Sequence, residues 1–337
     1  MKKFLGKIAI FLVFIMVMTI PASVSMDPYN IFHWNDIRNN GVEPNKNYIK
    51  MKYLLDNPGE YDSLFFGSSR VGAIHTENFQ GISCYNMTYS AGTPGENLDN
   101  IRTLTAAGYK PDRVFIGVDS FSYLEDGDIH LSQQIRAPYE YSVSHPVKFY
   151  SMYMSASLCF ESISAMRKNT HPVTLNGDIF YGSGWSINYG TPGPAEGYTR
   201  PFLCANQTGD VAANMAATLD DIREMKEYCD NNGIELVVFT NPMYVLNQSI
   251  SIEKYNYLEF LTELAKITEY YNFSTVCEIT EDSVNFPDVS HYSAEIGDMM
   301  IKILQGDDSL VIDDAYFGTK INSDNVVELT ETLSHQL

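Results

Sequence analysis

Basic residues are scarce in this chain. Lys and Arg number 22 against 42 Asp and Glu over 337 residues, a formal net charge of -20. Phosphate contacts need a basic face, so this balance excludes a nucleic-acid binder and argues against docking on anionic lipid headgroups. Cysteine is sparse and scattered. Cys84, Cys159, Cys204, Cys229 and Cys277 form no CxxC pair and no His/Cys spacing of a metal site. Their odd number leaves at least one unpaired within the chain, and Cys159 and Cys204 are the two a disulfide would join in an oxidising compartment. No Gly-rich phosphate loop is present, and Asp307-Asp308 and Asp313-Asp314 lack EF-type calcium spacing. The sequence therefore calls for no cofactor and no metal. Beyond residue 25 no apolar run is long enough to cross a bilayer.

Against these absences stand a hydrophobic fraction of 45%, enough for a sizeable core, and 23 Tyr beside only 2 Trp. At the N-terminus Lys2, Lys3 and Lys7 precede an apolar run from Ile8 to Ile20, followed by Pro21, Ala22, Ser23, Val24 and Ser25. This pattern fits a secretory signal cut ahead of Met26, or an uncleaved anchor if the apolar run is extended to Val24. Either one places residues 26–337 outside the cytoplasm, with the membrane touched only through residues 1–25. Without Lys2, Lys3 and Lys7 the remaining chain has 19 basic residues against 42 acidic ones, so the acidity belongs to the body of the protein.

Along that body, short β-rich runs alternate with helical periodicity. Strands are expected at Tyr61–Phe66, Ile82–Met87, Arg113–Val118, Ile234–Thr240 and Ser274–Ile279. Helices are expected near Tyr48–Leu55 and over Glu96–Ala107, Val147–Met166, Asp210–Asn232, Ile252–Tyr271 and Ser293–Leu304. Val114, Phe115, Ile116 and Val118 form the nearly continuous apolar run of a strand buried on both faces. Such alternation predicts a parallel sheet covered by helices, with reactive groups just past the carboxyl ends of its strands. Residues of about 121–208 break the rhythm and read as an inserted irregular and helical subdomain, while 305–337 read as an acidic tail. Asn-x-Ser/Thr triplets stand at Asn86, Asn206, Asn247 and Asn272, of which Asn86 reads as too buried for a glycan.

Two strand ends carry chemistry. The first reads Gly67-Ser68-Ser69-Arg70, a serine on a tight strand-to-helix turn near backbone N–H donors. The other, Pro287-Asp288-Val289-Ser290-His291, sets an acid three residues before an imidazole that it can orient as general base. Together these blocks resemble the SGNH or GDSL-like hydrolases. Tyr85-Asn86-Met87-Thr88-Tyr89-Ser90-Ala91-Gly92 is similar to that family's second block and Phe115-Ile116-Gly117-Val118-Asp119-Ser120 to its third. The resemblance covers residues 61–125 and 210–304, within a domain spanning 26–304.

The resemblance implies a flavodoxin-like three-layer α/β sandwich around a five-stranded parallel sheet. It makes Ser69 the nucleophile, His291 the base and Asp288 its orienting acid. The backbone N–H groups of Ser69 and of Ala91 or Gly92 would hold the oxyanion. Asp119 departs from the family's Asn, and an ionised carboxylate repels a developing negative charge. One reading pairs Asp119 with Arg70, whose guanidinium then faces the oxyanion; the other makes Asp119 structural and the site weak or inactive. Asn241 is expected on the pocket rim, and Trp185 and Tyr189 are placed as sugar-stacking residues. With Tyr139, Tyr141, Tyr150, Tyr153, Tyr181 and Tyr198, Tyr189 would make a sugar-facing wall of the insertion. The Gly-Ser-Ser-Arg form resembles a branch that moves acyl groups on bacterial surface polysaccharides beside a multi-pass membrane acyltransferase. The expected partner is thus a surface glycan or a small acyl ester. The rival readings are a non-catalytic carbohydrate-binding or assembly module of the same fold, and a broad lipase-like esterase.

Overall fold

A computed structural model describes residues 2–35, 42–124, 127–168, 191–203 and 209–336. The strands are β1 (Ser63–Phe66), β2 (Cys84–Asn86), β3 (Arg113–Val118), β4 (Glu235–Thr240), β5 (Tyr270–Asn272) and β6 (Thr319–Ile321). The helices are α1 (Lys2–Met26), α2 (Lys46–Asp56), α3 (Pro94–Ala106), α4 (Tyr139–Ser144), α5 (Pro146–Met152), α6 (Ala156–Lys168), α7 (Val211–Asn232), α8 (Val245–Tyr255), α9 (Tyr257–Ile267), α10 (Glu278–Glu281), α11 (Ala294–Leu304) and α12 (Val326–Gln336). The strands form one six-stranded sheet in the order β2-β1-β3-β4-β5-β6. Every pairing is parallel except β5 with β6, which is antiparallel.

Alternation along each strand divides the core between the two faces of the sheet. Leu64, Phe66, Val114, Ile116, Val118 and Val238 point to the face covered by α3, α7, α9 and α12. Phe65, Phe115 and Phe239 point the other way and pack with Ile296, Met300 and Ile301 of α11. Both faces are dry, which is why the strands read as unbroken apolar runs.

Four expectations are corrected. The sheet has six strands, not five, and its fifth is Tyr270–Asn272 instead of Ser274–Ile279. The helix expected over Ile252–Tyr271 breaks at Asn256, which adopts a left-handed conformation (φ 54°) between α8 and α9, and its last residues pair with β4. Thr240 Oγ1 then accepts the N–H groups of Phe273 and Ser274, holding Ser274 off the ladder. Residues 305–337 are no tail: they supply β6 and α12, and Phe317, Ile321, Leu329 and Leu333 are fully buried. The helix expected over Val147–Met166 is two helices, α5 and α6.

Part of the insertion builds a small aromatic core of its own. Phe149, Tyr153 and Leu158 pack with Ile31 and Tyr48, with Tyr139, Tyr141 and Tyr150 against them. Tyr153 is buried here, while Tyr139, Tyr141 and Tyr150 are half-buried and fill space between the insertion and the foot of α1. Trp185, Tyr181 and Tyr189 lie outside the described residues, as do Cys204 of the expected disulfide and the triplet at Asn206. The amides of Asn86, Asn247 and Asn272 are buried and bonded to backbone carbonyls, leaving no room for a glycan.

One carboxylate works against the fold. Burial pushes Asp221 on α7 up to about 6, and Glu224, Asp99 and Asp220 add to the shift. The unfolded chain releases this proton near pH 4, while the folded one keeps it to about pH 6. Stability is therefore lost as pH rises through that window. Asp221→Asn is expected to stabilise the protein at pH 7 by on the order of 1 kcal/mol, after allowing for solvent screening at this partly exposed group. Thermal melts at pH 7 and pH 4 check this, because the gain should vanish at the lower pH.

Candidate active site

The turn that carries Ser69 follows β1. Gly67 has φ +148°, and a Cβ there would meet a Val71 methyl at 2.7 Å and Gly117 O at 3.0 Å. Only glycine lets the chain turn this closely over β3. Ser68 caps the turn by accepting the Arg70 N–H, and Ser69 opens one short 3-10 turn, Ser69–Ala73. Ser69 Oγ lies 2.9 Å from His291 Nε2 across 222 residues of sequence.

His291 stands on the loop before α11. Its Nδ1 is 3.0 Å from both carboxylate oxygens of Asp288. Asp288 Oδ1 also accepts the backbone N–H groups of Ser290 and His291, which fixes the loop. Burial works to raise the Asp288 carboxyl, but the His291 side chain and these two N–H groups outweigh it and hold the carboxyl below its usual range. With Asp288 ionised, the imidazole proton sits on Nδ1 and Nε2 is free to accept from Ser69.

The loop after β2 abuts the turn. Gly92 packs so close that a Cβ would meet Gly67 O at 2.7 Å, and Ala91 is left-handed (φ 57°). The N–H of Gly92 closes a turn on Tyr89 O at 3.4 Å. Side chains whose bonding roles the sequence does not announce hold this loop. Lys50, fully buried on α2, donates from Nζ to Asn86 O and Thr88 O at 2.8 and 2.9 Å. Asn86 donates to Val71 O and Ile74 O, and Thr88 Oγ1 donates to Ser68 O. Asn86 and Thr88 thus bond the loop to the Ser69 turn at three points, and Lys50 ties it to α2. Below it, Glu96 takes the Tyr89 hydroxyl at 2.9 Å and pairs with buried His130 of the insertion at 2.7 Å.

Arg70 pairs with Asp119 at 2.8 Å, both side chains buried. Arg70 Nε donates to Ser290 O at 2.8 Å, and the guanidinium lies 4.1 Å from the centre of the Phe121 ring. Asp119 also accepts the Phe121 N–H and the Asn241 side-chain amide. Asn241 is therefore fully buried in this network, not on a pocket rim as expected. From the far end of the insertion Tyr198 donates to Phe286 O at 2.6 Å, and Asn247 donates to Val289 O, so the histidine loop is held on two more sides. Among the described residues no group of three His, Cys, Asp or Glu could hold a metal ion.

The arrangement can deprotonate a serine hydroxyl and return the proton to a leaving group. No family model matches the chain, and no curated protein matches its sequence significantly.

Proposed function

We propose that the protein is an extracytoplasmic serine-dependent acyl-ester hydrolase or O-acyltransferase of the SGNH type, acting on O-acyl groups of a cell-surface glycan. The strand order 2-1-3-4-5 supports the flavodoxin-like reading of its sheet, with β6 as an antiparallel addition. The observation that carries the proposal is the relay of Ser69 Oγ, His291 Nε2 and Nδ1, and Asp288. In the forward step His291 takes the Ser69 proton as Oγ bonds to the acyl carbon. Collapse breaks the ester C–O bond, and His291 gives that proton to the departing alkoxide. Water, or a sugar hydroxyl, then attacks the acyl-Ser69 ester with His291 again as base. The acidic surface favours a neutral or weakly charged glycan over a polyphosphate acceptor. A multi-pass membrane acyltransferase would be the natural source of acyl groups.

A fluorophosphonate probe tests the proposal. Ser69 should be labelled in the parent protein and unlabelled in Ser69→Ala. Well-folded parent protein that resists the probe would favour the non-catalytic module instead.

The location has a finer reading. Among the described residues one helix is long and apolar enough to cross a membrane, covering Lys3–Met26. Its last turns are built into the fold. Ser23 is fully buried, donates to Ser155 O at 2.8 Å and lies 3.1 Å from Cys159 Sγ. Asp27 accepts the N–H groups of Ile31, Phe32 and His33, and Asn45 N donates to Tyr29 O. A signal peptidase needs an extended, accessible exit, and here that stretch is helical with Ser23 buried. We therefore read α1 as a retained anchor. Intact mass of the membrane fraction should include residues 2–26; a soluble product beginning at Met26 would refute retention.

A further inference from the structure

We propose that Arg70 is a positioning residue that ties the nucleophile turn to the histidine loop, and that Asp119 is the counter-ion keeping this tie neutral. The inference rests on reading Ser69 and His291 as nucleophile and base. Arg70 is the covalent neighbour of Ser69, and Ser290 is the covalent neighbour of His291. The bond from Arg70 Nε to Ser290 O therefore joins two loops 220 residues apart, one residue from each reacting group. Lysine could not replace it. A guanidinium reaches a carbonyl through Nε and a carboxylate through a terminal nitrogen at once, whereas an ammonium is a single point.

Burial explains why residue 119 is an acid. The Arg70 and Asp119 side chains are 3% and 1% exposed, so an unpaired guanidinium there would be costly. It would also stand beside the base and oppose its protonation during acyl transfer. Around the histidine loop, Asp288 bonds the imidazole, Tyr198 from the insertion donates to Phe286 O, and Tyr292, two residues before α11, bonds Asn241. None of these can neutralise Arg70 as Asp119 does, at 2.8 Å. The carboxylate is further braced: Oδ1 accepts the Phe121 N–H, and Oδ2 accepts the Asn241 amide, whose oxygen takes the Tyr292 hydroxyl at 3.3 Å. The ends of β1, β3 and β4 and the histidine loop are thereby joined through one ion pair. In this arrangement Asp119 supports the base and is no ligand of the oxyanion, so an acid in place of the family's Asn follows from having arginine at position 70.

The test uses the full-length protein and p-nitrophenyl acetate. In Arg70→Met/Asp119→Leu both charges are removed together, so the fold should survive. Its kcat is expected to fall on the order of 10–100-fold with KM within about twofold, because the reacting groups are misplaced, not the ester site. Arg70→Lys should show the same split, and it stands in if the double variant does not fold. In Asp119→Asn the uncompensated guanidinium should move the NMR titration midpoint of His291 downward, whereas the double variant should keep it near the parent's. Parental kcat in both Arg70 variants, or an unmoved midpoint in Asp119→Asn, would overturn the proposal. If the parent neither labels nor turns over ester, the reading of Ser69 fails instead. The ring nitrogen signals of His291 then still report whether losing Arg70 loosens its contact with Ser69.

Discussion

Ser69→Ala is expected to lower ester turnover by ~10⁴–10⁶-fold, the cost typical of losing a nucleophile whose partners remain in place. The folded protein should hardly notice. Ser69 is only partly buried, and its hydroxyl is aimed at His291. The turn itself is capped by Ser68, and its shape is set by Gly67, so alanine at 69 keeps the backbone intact. His291→Ala should cost a similar factor, and the double variant little more than either alone, since the two act as one unit. Asp288→Asn should lose about 10⁴-fold in kcat. The amide can present a donor to Nδ1, which leaves the imidazole proton on Nε2 and blocks acceptance from Ser69. Because Asp288 is held below the usual carboxylate range, its ionised form should persist on acidification to below about pH 4. Stopped assays on purified variants, with circular dichroism to confirm folding, decide all three. A Ser69→Ala protein of parental activity would remove the serine mechanism altogether.

Ser69, Asp288 and His291 stood out in the sequence through two short motifs, Gly67-Ser68-Ser69 and Asp288-Val289-Ser290-His291, and the sheet around them through strong patterns elsewhere. Arg113–Val118 matches β3 at both ends, since a strand dry on both faces must be apolar throughout. Asp210 and Gly233 bracket α7 as its cap and left-handed terminator. Other features were hidden for physical reasons. Three residues, Tyr270–Asn272, are too few to show a period, and a lone Asn in Tyr255-Asn256-Tyr257 is only a weak mark of a left-handed break. Residues 305–337 looked acidic because their charges lie outward. Glu328 and Glu331 are exposed on α12, while Leu329 and Leu333 at helical spacing are buried against the sheet. The pairing of Arg70 with Asp119 was legible as charge complementarity, but the direction of Arg70 Nε toward Ser290 O was not. Lys50 gave no signal at all, and the bonding roles of Asn86 and Thr88 stayed hidden inside the second block: their partners are mostly backbone carbonyls, which belong to every sequence.

Lys50 carries the second large effect. Burial lowers its ammonium well below the ordinary lysine range, and nearby Lys46 lowers it further. The folded chain thus gives up this proton at a lower pH than the unfolded chain, which holds it to about pH 10.4. Between those limits the unfolded state binds more protons, so stability rises with pH, by up to about 1.4 kcal/mol per pH unit for one full proton. Lys46, pushed down to about 8 by burial against the pull of Glu43, adds a slope of the same sign above pH 8. Lys50→Met removes only the first contribution. The stability of the parent relative to this variant should therefore climb as pH rises toward about 9.5, below the range where buried tyrosines act in the opposite sense. Urea unfolding of both proteins across that range reads the difference directly, and parallel curves would show that Lys50 keeps its ordinary affinity for the proton. The same substitution leaves Asn86 O and Thr88 O without their donor at the point where the second loop meets the nucleophile turn. If that loop supplies an oxyanion N–H, kcat should fall on the order of tenfold or more with little change in KM. Stability and turnover would then report on one buried amine, through a proton in the first case and through two carbonyls in the second.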